Sequence, residues 1–376
     1  PVRYFYDYPL RPPFKPFDHQ VTTAEFFTLN SRAICLNDMG CVDASTEYLS
    51  PTGWVRMDQY RGGEVAQWLP SEQRYEFVMP TEYVKKPCSS MLRWRSPYTD
   101  QKLSVEHRVL LYRADGSSVV YRADELVGYA ERGLFLHDGD KLVPAFTDGG
   151  WSIRHEDNPD GFKYCFMVPS TFLLLRRNGC VFATGNTGKT LSSLWAADFL
   201  MRQRVVQKAI VVCPKSTMSS VWENEVTTHF LGRMGVAVLS GSKERRLKQL
   251  KRTDVSLSVI NHDGLEVIEK ELAQRRDINL WIIDEAAKFR NAQSKRHQLL
   301  ASLVRPTDWM WLMTGTPCPQ DPTDAWGLAK LMHGSRVQPK FYTHFRNQTM
   351  TQITQYKWVL KPDAVAKVWA LLQPGI

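Results

Sequence analysis

The chain has 376 residues, of which 43% are hydrophobic and 23% charged, and its formal net charge is +9. This composition is typical of a folded protein with about two or three domains. No run approaches the roughly 18 apolar residues that a membrane span needs, and no signal-peptide pattern opens the chain, so we expect no membrane association. Seven cysteines without paired spacing argue against a disulfide framework or a Cys-x-x-Cys zinc site, and indicate a reducing, cytoplasmic compartment.

The positive charge is unevenly distributed. Residues 41–186 carry slightly more acidic than basic side chains, so the whole excess of Lys and Arg lies in the flanking residues. A polyanion such as nucleic acid is the natural partner of such flanks, and a generally basic surface without a ligand is the alternative.

Three kinds of residue pattern follow one another along the chain. Pro1–Pro16 is rich in proline and aromatic residues and is expected to be extended, and residues 17–30 favour a helix. Residues 41–186 contain short β-rich runs between turn residues, which predicts an all-β domain. After Thr187, compact apolar runs alternate with helical segments, which predicts a parallel α/β sheet.

A phosphate-binding motif is divided between the two ends of the middle block. When Gly40 is joined directly to Thr187, the sequence reads AICLNDMG-TGKT, a strand and a loop ahead of a helix, as a P-loop requires. The loop amides, including those of Gly40 and Gly188, would hold phosphate. Lys189 would neutralise the phosphate oxygens, and Thr190 would bind Mg²⁺.

Three further motifs fit an ATPase. Asp284 and Glu285 follow an apolar strand, where Asp284 can hold Mg²⁺ through water and Glu285 can polarise the attacking water. A pair of solvated carboxylates is the alternative interpretation. Residues 314–317 read TGTP after another apolar strand, and Gln20 could read an adenine edge.

The joined flanks resemble the first RecA-like lobe of Swi/Snf-type ATPases of helicase superfamily two. That family tolerates a residue other than glycine at the first P-loop position, which is Asn37 here. Residues 210–226 resemble its DNA-contacting segment, which implies that Lys215 and Trp222 bind nucleic acid. Ala287 stands where the family usually has His, which puts the coupling between ATP and DNA in doubt.

This resemblance implies double-stranded DNA or another nucleic acid as partner, and ATP with Mg²⁺ as cofactors. It also implies a second RecA-like lobe, expected beyond Ile376. We therefore expect the chain to be a fragment of a longer reading frame that hydrolyses ATP poorly by itself. A phage-encoded gene in a bacterial host is compatible with this arrangement.

The edges of the middle block carry the groups that protein splicing needs. Cys41 supplies a nucleophile, the side-chain amide of Asn186 can attack its own backbone carbonyl, and Thr187 supplies a hydroxyl. Their position at the break of the P-loop predicts that the block excises itself.

The interior of the block resembles an intein with the hedgehog/intein (Hint) fold. The similar segments are Cys41–Tyr60, Leu103–Leu111 with Ser104 and His107, and Tyr164–Asn186. The block leaves no room for an endonuclease domain, so the resemblance implies a mini-intein that splices in cis.

The resemblance also implies a role for each residue. His107 would protonate the nitrogen of Cys41 with Ser104 hydrogen-bonded nearby, so that the Cys41 thiol forms a thioester with Gly40. Thr187 would then attack the thioester, and Asn186 would cyclise and release the block.

Two positions depart from the intein pattern. Gly185 stands where a histidine usually assists the cyclisation, and Arg176, Arg177 or a backbone amide could replace it. Cys165 stands where an aspartate is usual, and either modulates thioester exchange or is a buried thiol.

The predicted fold class is therefore multi-domain, with an all-β Hint domain inserted into an α/β RecA-like P-loop ATPase lobe. The predicted domains are residues 1–40, 41–186 and 187–376, and splicing itself is expected to need no cofactor. Two alternatives remain: a Hint autoprocessing domain that cleaves without ligation, and a nucleic-acid-binding ATPase fragment with an inactive insertion.

Overall fold

The computed structural model describes most of the chain, in ranges separated by short gaps. The described residues are 2–9, 16, 18–36, 40–70, 72–80, 82–105, 107–128, 133–147, 150–168, 170, 172–185, 189–315, 318, 321–355 and 357–376. The chain divides into two compact units. The α/β unit comprises Pro1–Arg11, Lys15–Asn37 and Lys189–Ile376, and the all-β unit comprises Pro12–Phe14 and Asp38–Gly188.

The α/β unit begins with two helices and a strand, α1 (Val2–Phe5), α2 (Asp18–Leu29) and β1 (Arg32–Cys35). The expectation of an extended N-terminus is wrong for α1. Arg3 of this helix forms an ion pair with Glu25 of α2 at 3.2 Å, so α1 is docked onto α2.

The described residues of the all-β unit form β-strands and a single-turn 3₁₀ helix at Met57–Gln59. The strands are β2 (Glu47–Ser50), β3 (Gly53–Arg56), β4 (Val65–Leu69), β5 (Arg74–Val78), β6 (Glu82–Pro87), β7 (Ser90–Ser96), β8 (Thr99–Leu103), β9 (Arg108–Arg113), β10 (Ser118–Arg122), β11 (Leu134–His137), β12 (Leu142–Pro144), β13 (Ser152–Asp157), β14 (Phe162–Met167), β15 (Phe172–Arg177) and β16 (Cys180–Gly185).

These strands pair antiparallel in three sheets. A ten-stranded sheet has the order β12-β11-β9-β16-β15-β2-β3, with β10 beside β9 and β4 between β15 and β5. Two smaller sheets have the orders β13-β7-β8 and β14-β6. The apolar run at 103–111 is interrupted by a turn, in which the His107 amide donates to the Ser104 carbonyl at 2.9 Å. This turn places Ser104 and His107 between β8 and β9.

The rest of the α/β unit alternates helices with strands, as the sequence predicts. Its elements are α3 (Lys189–Arg202), β17 (Lys208–Cys213), a π-helix (Met218–Glu223), α4 (Asn224–His229), β18 (Val236–Val238), α5 (Lys243–Leu250), β19 (Leu257–Asn261), α6 (Gly264–Val267), α7 (Glu269–Gln274), β20 (Ile278–Asp284), a 3₁₀ helix (Ala286–Phe289), α8 (Lys295–Leu303), β21 (Trp309–Met313), α9 (Asp324–His333), a 3₁₀ helix (Gly334–Arg336), α10 (Tyr342–Thr349), β22 (Met350–Gln352), β23 (Trp358–Leu360) and α11 (Ala364–Leu372).

Six parallel strands form the central sheet, in the order β1-β21-β20-β17-β19-β18. Alternate residues of each strand enter two separate cores. Val211 of β17 packs with α2 and α3 on one face, whereas Val212 packs with α8 on the other. Both faces are covered, which explains why the strands are continuously apolar.

Among the residues that the structure describes, no helix is both long and apolar enough to cross a membrane.

Candidate functional site

Cys41 is fixed inside the all-β unit by its neighbour. The amide of Val42 donates to the carbonyl of Tyr164 at 2.8 Å, and the amide of Tyr164 donates back at 2.8 Å. Val42 also bridges to Leu103 of β8, so this residue joins the two smaller sheets. The side chain of Cys41 is completely buried as a result.

The turn after β8 forms hydrogen bonds with the peptide group of Cys41. The Cys41 amide donates a hydrogen bond to Ser104 Oγ at 3.0 Å, and the Ser104 amide donates to the Cys41 carbonyl at 2.9 Å. The nitrogen of the bond between Gly40 and Cys41 therefore has a hydroxyl beside it.

His107 contacts the same peptide and reaches across to β16. Its Nδ1 lies 3.1 Å from the Cys41 carbonyl oxygen, and its Nε2 is hydrogen-bonded to Oγ1 of Thr184. The Thr184 hydroxyl is also within 3.0 Å of the Arg108 carbonyl oxygen, which can accept its proton. Thr184 and His107 are both buried, at 0% and 2% exposure.

The two ends of the block meet beside His107. A methyl group on Gly40 would lie 2.9 Å from both Cα and Nδ1 of His107 and 3.0 Å from the Gly185 carbonyl oxygen. Gly185 ends β16 and pairs with Arg108 of β9. We name the group Gly40, Cys41, Ser104, His107, Thr184 and Gly185 the junction site.

Burial lowers the pKa of His107 to about 3, and the hydrogen bond with the Cys41 carbonyl offsets only part of this effect. The charge of Arg108 lowers the pKa further. The imidazole is therefore neutral at pH 7. A neutral imidazole is too weak an acid to protonate an amide nitrogen, so His107 must first gain a second proton.

A buried ion pair supports the chain just after Cys41. Arg177 binds Asp43 at 3.0 Å and Asp100 at 3.2 Å, and both Arg177 and Asp43 are almost fully buried. Burial by itself raises the pKa of the Asp43 carboxyl, but the hydrogen bonds and charge of Arg177 outweigh it, so the pKa lies below its usual value.

The idea that Arg176 or Arg177 assists Asn186 is not supported by their positions. Arg176 pairs with Glu47 at 2.7 Å, and both arginines lie at the end of the β15–β16 hairpin opposite to Gly185. Five residues of extended strand, roughly 17 Å, separate that end from the junction site.

The remaining splicing residues are placed only in part. Cys165 is buried in β14, where its thiol donates to the Phe166 carbonyl at 3.4 Å. Asn186 and Thr187 lie outside the described residues, so their roles stay predictions.

A second group of polar residues lies at the carboxyl edge of the parallel sheet. Asp284 is in register with Met313 of β21, which in turn is in register with Cys35 of β1. The amide of Thr314 donates to the Cys35 carbonyl at 3.1 Å. The sheet therefore brings together the strand ends at which the P-loop, Asp284 and the TGTP motif are predicted.

Three neighbours orient Asp284. Trp222 Nε1 donates to its Oδ2 at 3.2 Å, the Glu285 amide donates to its Oδ1 at 3.0 Å, and His262 Nε2 donates to its carbonyl at 2.9 Å. Glu285 has φ of 53°, a left-handed conformation that is uncommon for a residue other than glycine. We name Trp222, His262, Asp284 and Glu285 the carboxylate site.

The nucleic-acid prediction is corrected for Trp222. Its side chain is fully buried and binds Asp284, so no indole surface is left for a DNA backbone. Trp222 lies in the π-helix, a rare conformation that is frequent at functional sites. Lys215 is exposed directly after β17, as a phosphate contact requires.

Only some of the predicted nucleotide-binding residues lie within the described part of the chain. Gln20 is buried in α2, at 4% exposure, and its reading of adenine stays a prediction. Lys189 begins α3, and Thr190 follows it, half-buried. Gly188 lies outside the described residues, as do the side chain of Lys189, Asn37 and Thr316–Pro317 of the TGTP motif. Gly40 belongs to the all-β unit, where it contacts His107.

The oxygen donors of this edge suit a hard cation that arrives with phosphates. Asp284 offers a carboxylate, whose oxygens accept hydrogen bonds from Trp222 and the Glu285 amide, and Thr190 offers a hydroxyl. Within the described ranges, no group of three His, Cys, Asp or Glu side chains could hold a metal ion without such a ligand.

Sequence reasoning missed Thr184 and His262. Thr184 is a polar residue at a position of β16 that faces the same core as Phe182, and this break in the apolar alternation was a usable signal. His262 follows β19 and supports Asp284 from a neighbouring strand, which a pattern along the chain does not reveal.

Two curated proteins show the range of relatives. Putative protein p41 of Acyrthosiphon pisum secondary endosymbiont phage 1 is 23% identical over 56% of this chain and 45% of its own length. DNA repair and recombination protein RAD54 of Oryza sativa is 29% identical over 38% of this chain and 16% of its own length. The chain thus spans less than half the length of either protein.

Solved structures are similar to part of the chain. The Sulfolobus solfataricus SWI2/SNF2 ATPase core in complex with double-stranded DNA matches 49% of this chain and 37% of its own, with 22% identity and a TM-score of 0.38. A splice-inactive AceL NrdHF class 3 split intein matches 39% of this chain and 98% of its own, with 16% identity and a TM-score of 0.35.

The family model for the SNF2-related domain matches residues 64–376. This match covers most of the chain and includes β17, β20 and β21, which lead to Lys215, Asp284 and the TGTP motif. The chain belongs to the SNF2-related domain family.

Proposed function

We propose that the chain is the precursor of a Snf2-type ATPase, in which residues 41–186 excise themselves and join Gly40 to Thr187. The observation that carries this proposal is the junction site, where Gly40, Cys41 and Gly185 meet around His107. A self-excising block needs its two ends side by side, because the same acyl group passes from one end to the other.

The arrangement around Cys41 supports the first step. The Cys41 thiol attacks the Gly40 carbonyl, a carbon–sulfur bond forms, and the bond to the Cys41 nitrogen breaks. The thiol proton passes to that nitrogen through His107, whose neutral imidazole can accept it first. Ser104 accepts a hydrogen bond from the same nitrogen and holds it in place.

Later steps use the residues that follow β16. The Thr187 hydroxyl attacks the thioester and returns its proton to the Cys41 sulfur. The Asn186 side-chain nitrogen then attacks its own backbone carbonyl, and the peptide bond to Thr187 breaks. A final shift of the acyl group from oxygen to nitrogen gives an ordinary peptide bond. Every atom and proton comes from the chain, so this sequence of steps needs no cofactor.

Ligation would give the α/β unit a continuous phosphate-binding loop. Lys189, Thr190 and Asp284 would hold ATP with Mg²⁺, which supplies positive charge at the phosphate oxygens. Trp222 and the Glu285 amide orient Asp284, and the Glu285 side chain would act on the attacking water. We infer that the precursor does not bind ATP productively, because residues 41–186 separate the two parts of the loop.

Nucleic acid is the proposed partner of the ligated protein. The Lys and Arg excess outside residues 41–186 and the exposed Lys215 supply the charge that a phosphate backbone attracts. A SWI2/SNF2 core structure holds double-stranded DNA, and we extend that partner to this family member. A second lobe would be required for efficient hydrolysis.

Intact-mass spectrometry during expression tests the splicing proposal. We expect one product that joins residues 1–40 to 187–376 and a second that contains residues 41–186. A Cys41→Ala variant should remain full length. A parent chain that also remains full length would overturn the proposal.

Cleavage without ligation is the alternative that the structure favours next. Gly185 occupies the position of the usual helper histidine, and Arg176 and Arg177 lie at the far end of their hairpin. Fragments ending at Gly40 without a joined product would support this alternative.

A further inference from the structure

The hydroxyl of Thr184 lies between two groups that cannot both receive its proton. His107 Nε2 is on one side and the Arg108 carbonyl is on the other, at 3.0 Å. A threonine hydroxyl has one proton and can accept through its lone pairs. The direction of this single proton therefore depends on the protonation of His107.

Each state of the imidazole has a complete set of hydrogen bonds. In the neutral state, Nδ1 donates to the Cys41 carbonyl, and Nε2 accepts from Thr184. In the charged state both ring nitrogens donate, so Thr184 accepts from Nε2 and turns its own proton to the Arg108 carbonyl. Rotation about one carbon–oxygen bond connects the two states.

We propose that Thr184 is a positioning residue whose rotating hydroxyl lets His107 gain and release a proton during thioester formation. The junction site is buried, so water cannot replace this hydroxyl without cost. During the step Nε2, the ring nitrogen without a proton in the neutral state, takes the thiol proton of Cys41 and then gives it to the Cys41 nitrogen, while the hydroxyl turns towards Arg108 and back. This inference rests on the proposed splicing function.

The position of Thr184 in the chain also links its rotating hydroxyl to the C-terminal end of the block. The residue lies two positions before Asn186, and its neighbour Gly185 approaches Gly40. The strand that supports the catalyst of the first step therefore leads directly to the residue of the last step.

Thiol-induced cleavage of the Gly40–Cys41 bond tests the inference. The full chain carries Asn186→Ala for this assay, because residues 41–186 then cannot be released at their C-terminal end. Dithiothreitol captures the thioester, and intact mass gives the rate. We expect Thr184→Val to slow cleavage by about 10- to 100-fold, the loss of one hydrogen bond to a charged group. Thr184→Ser retains the hydroxyl and should restore most of the rate.

A double-mutant cycle separates this role from a structural one. In a chain that already carries His107→Gln, Thr184→Val should cause no further loss, because the hydroxyl acts through the imidazole. An equal loss in both backgrounds, or a Thr184→Val chain as fast as its parent, would overturn the inference alone. A parent chain that dithiothreitol does not cleave would instead overturn the splicing proposal.

Discussion

Ser104 and Cys41 hold each other by two reciprocal hydrogen bonds, from the Cys41 amide to Ser104 Oγ at 3.0 Å and from the Ser104 amide to the Cys41 carbonyl at 2.9 Å. The hydroxyl is therefore the acceptor for the nitrogen that leaves when the bond to Gly40 breaks. This contact makes Ser104 a direct participant in the proposed chemistry.

Ser104→Ala should slow thiol-induced cleavage at Gly40 by about tenfold, since Ser104 Oγ stabilises the Cys41 nitrogen more as it gains a proton and leaves than in the neutral amide. Ser104→Thr keeps the hydroxyl and serves as the matched control. Cleavage by the alanine variant at the parental rate would show that the hydroxyl has no part in the step.

Gly40→Ala should reduce splicing by at least about tenfold. Its methyl group would meet the backbone of His107 and the Gly185 carbonyl at about 3 Å, and overpacking of this kind costs roughly 1–3 kcal/mol. The measurement is the yield of joined product against time. If the variant splices normally, the two ends of the block are less tightly apposed than the structure describes.

Acid should destabilise the chain partly through His107. The pKa of His107 is about 3 in the folded protein, against about 6.5 in an unfolded chain. The unfolded state therefore binds the extra proton between these values, and stability falls as pH drops below 6.5, by up to about 1.4 kcal/mol per pH unit.

Urea unfolding of the Asn186→Ala chain with and without His107→Gln isolates this contribution. The other histidines with lowered pKa, such as His137, are common to both chains. We expect the stability difference between the chains to shrink steadily from pH 6.5 to pH 4. A difference that does not vary with pH would mean that His107 is protonated in the folded state.

Arg177→Met should destabilise the all-β unit by about 3–5 kcal/mol, because it leaves the buried carboxylate of Asp43 without its cation, whereas Asp100 keeps its ion pair with Arg93. Calorimetry of a chain with Cys41→Ala and Asn186→Ala, which cannot splice, measures the loss. Arg56→Met is the matched control, since Arg56 is exposed, its partner Asp58 is only partly buried, and such surface pairs contribute about 0–1 kcal/mol. Similar losses in both variants would contradict the assignment.

Binding of a fluorescent ATP analogue should require removal of residues 41–186. We expect the double variant Cys41→Ala, Asn186→Ala to bind weakly, and a chain expressed with Gly40 fused directly to Thr187 to bind with Mg²⁺ dependence. Lys189→Ala in the fused chain is the control for specific binding. Equal affinity of the two chains would refute the idea that excision activates the ATPase.

The sequence predicted elements better than it predicted contacts. Periodicity located α3, β17 and β20, because burial on both faces of a parallel sheet leaves a long apolar signature. It did not reveal α1, whose four residues are held by an ion pair to Glu25 from a distant part of the chain. Local propensity carries no information about such pairing.

The same limit applies to the site. The motif around Ser104 and His107 was readable because both residues lie in one turn, whereas Thr184 joins them only through the pairing of β16 with β9. Trp222 was interpreted as a surface contact, because its sequence does not show that the π-helix turns the indole inward to Asp284.

The order of strands in the parallel sheet determines which unit of the nascent chain can fold first. Within that sheet, β1 is the strand at one end of the order and pairs with β21. It therefore cannot pair until residues 309–313 have been synthesised. The last strand of the all-β unit ends at Gly185. At about 5–20 residues per second, roughly 6 to 25 s of synthesis separate these two events. The all-β unit can thus complete its fold, and bring its ends together, while the strands of the parallel sheet are still being translated.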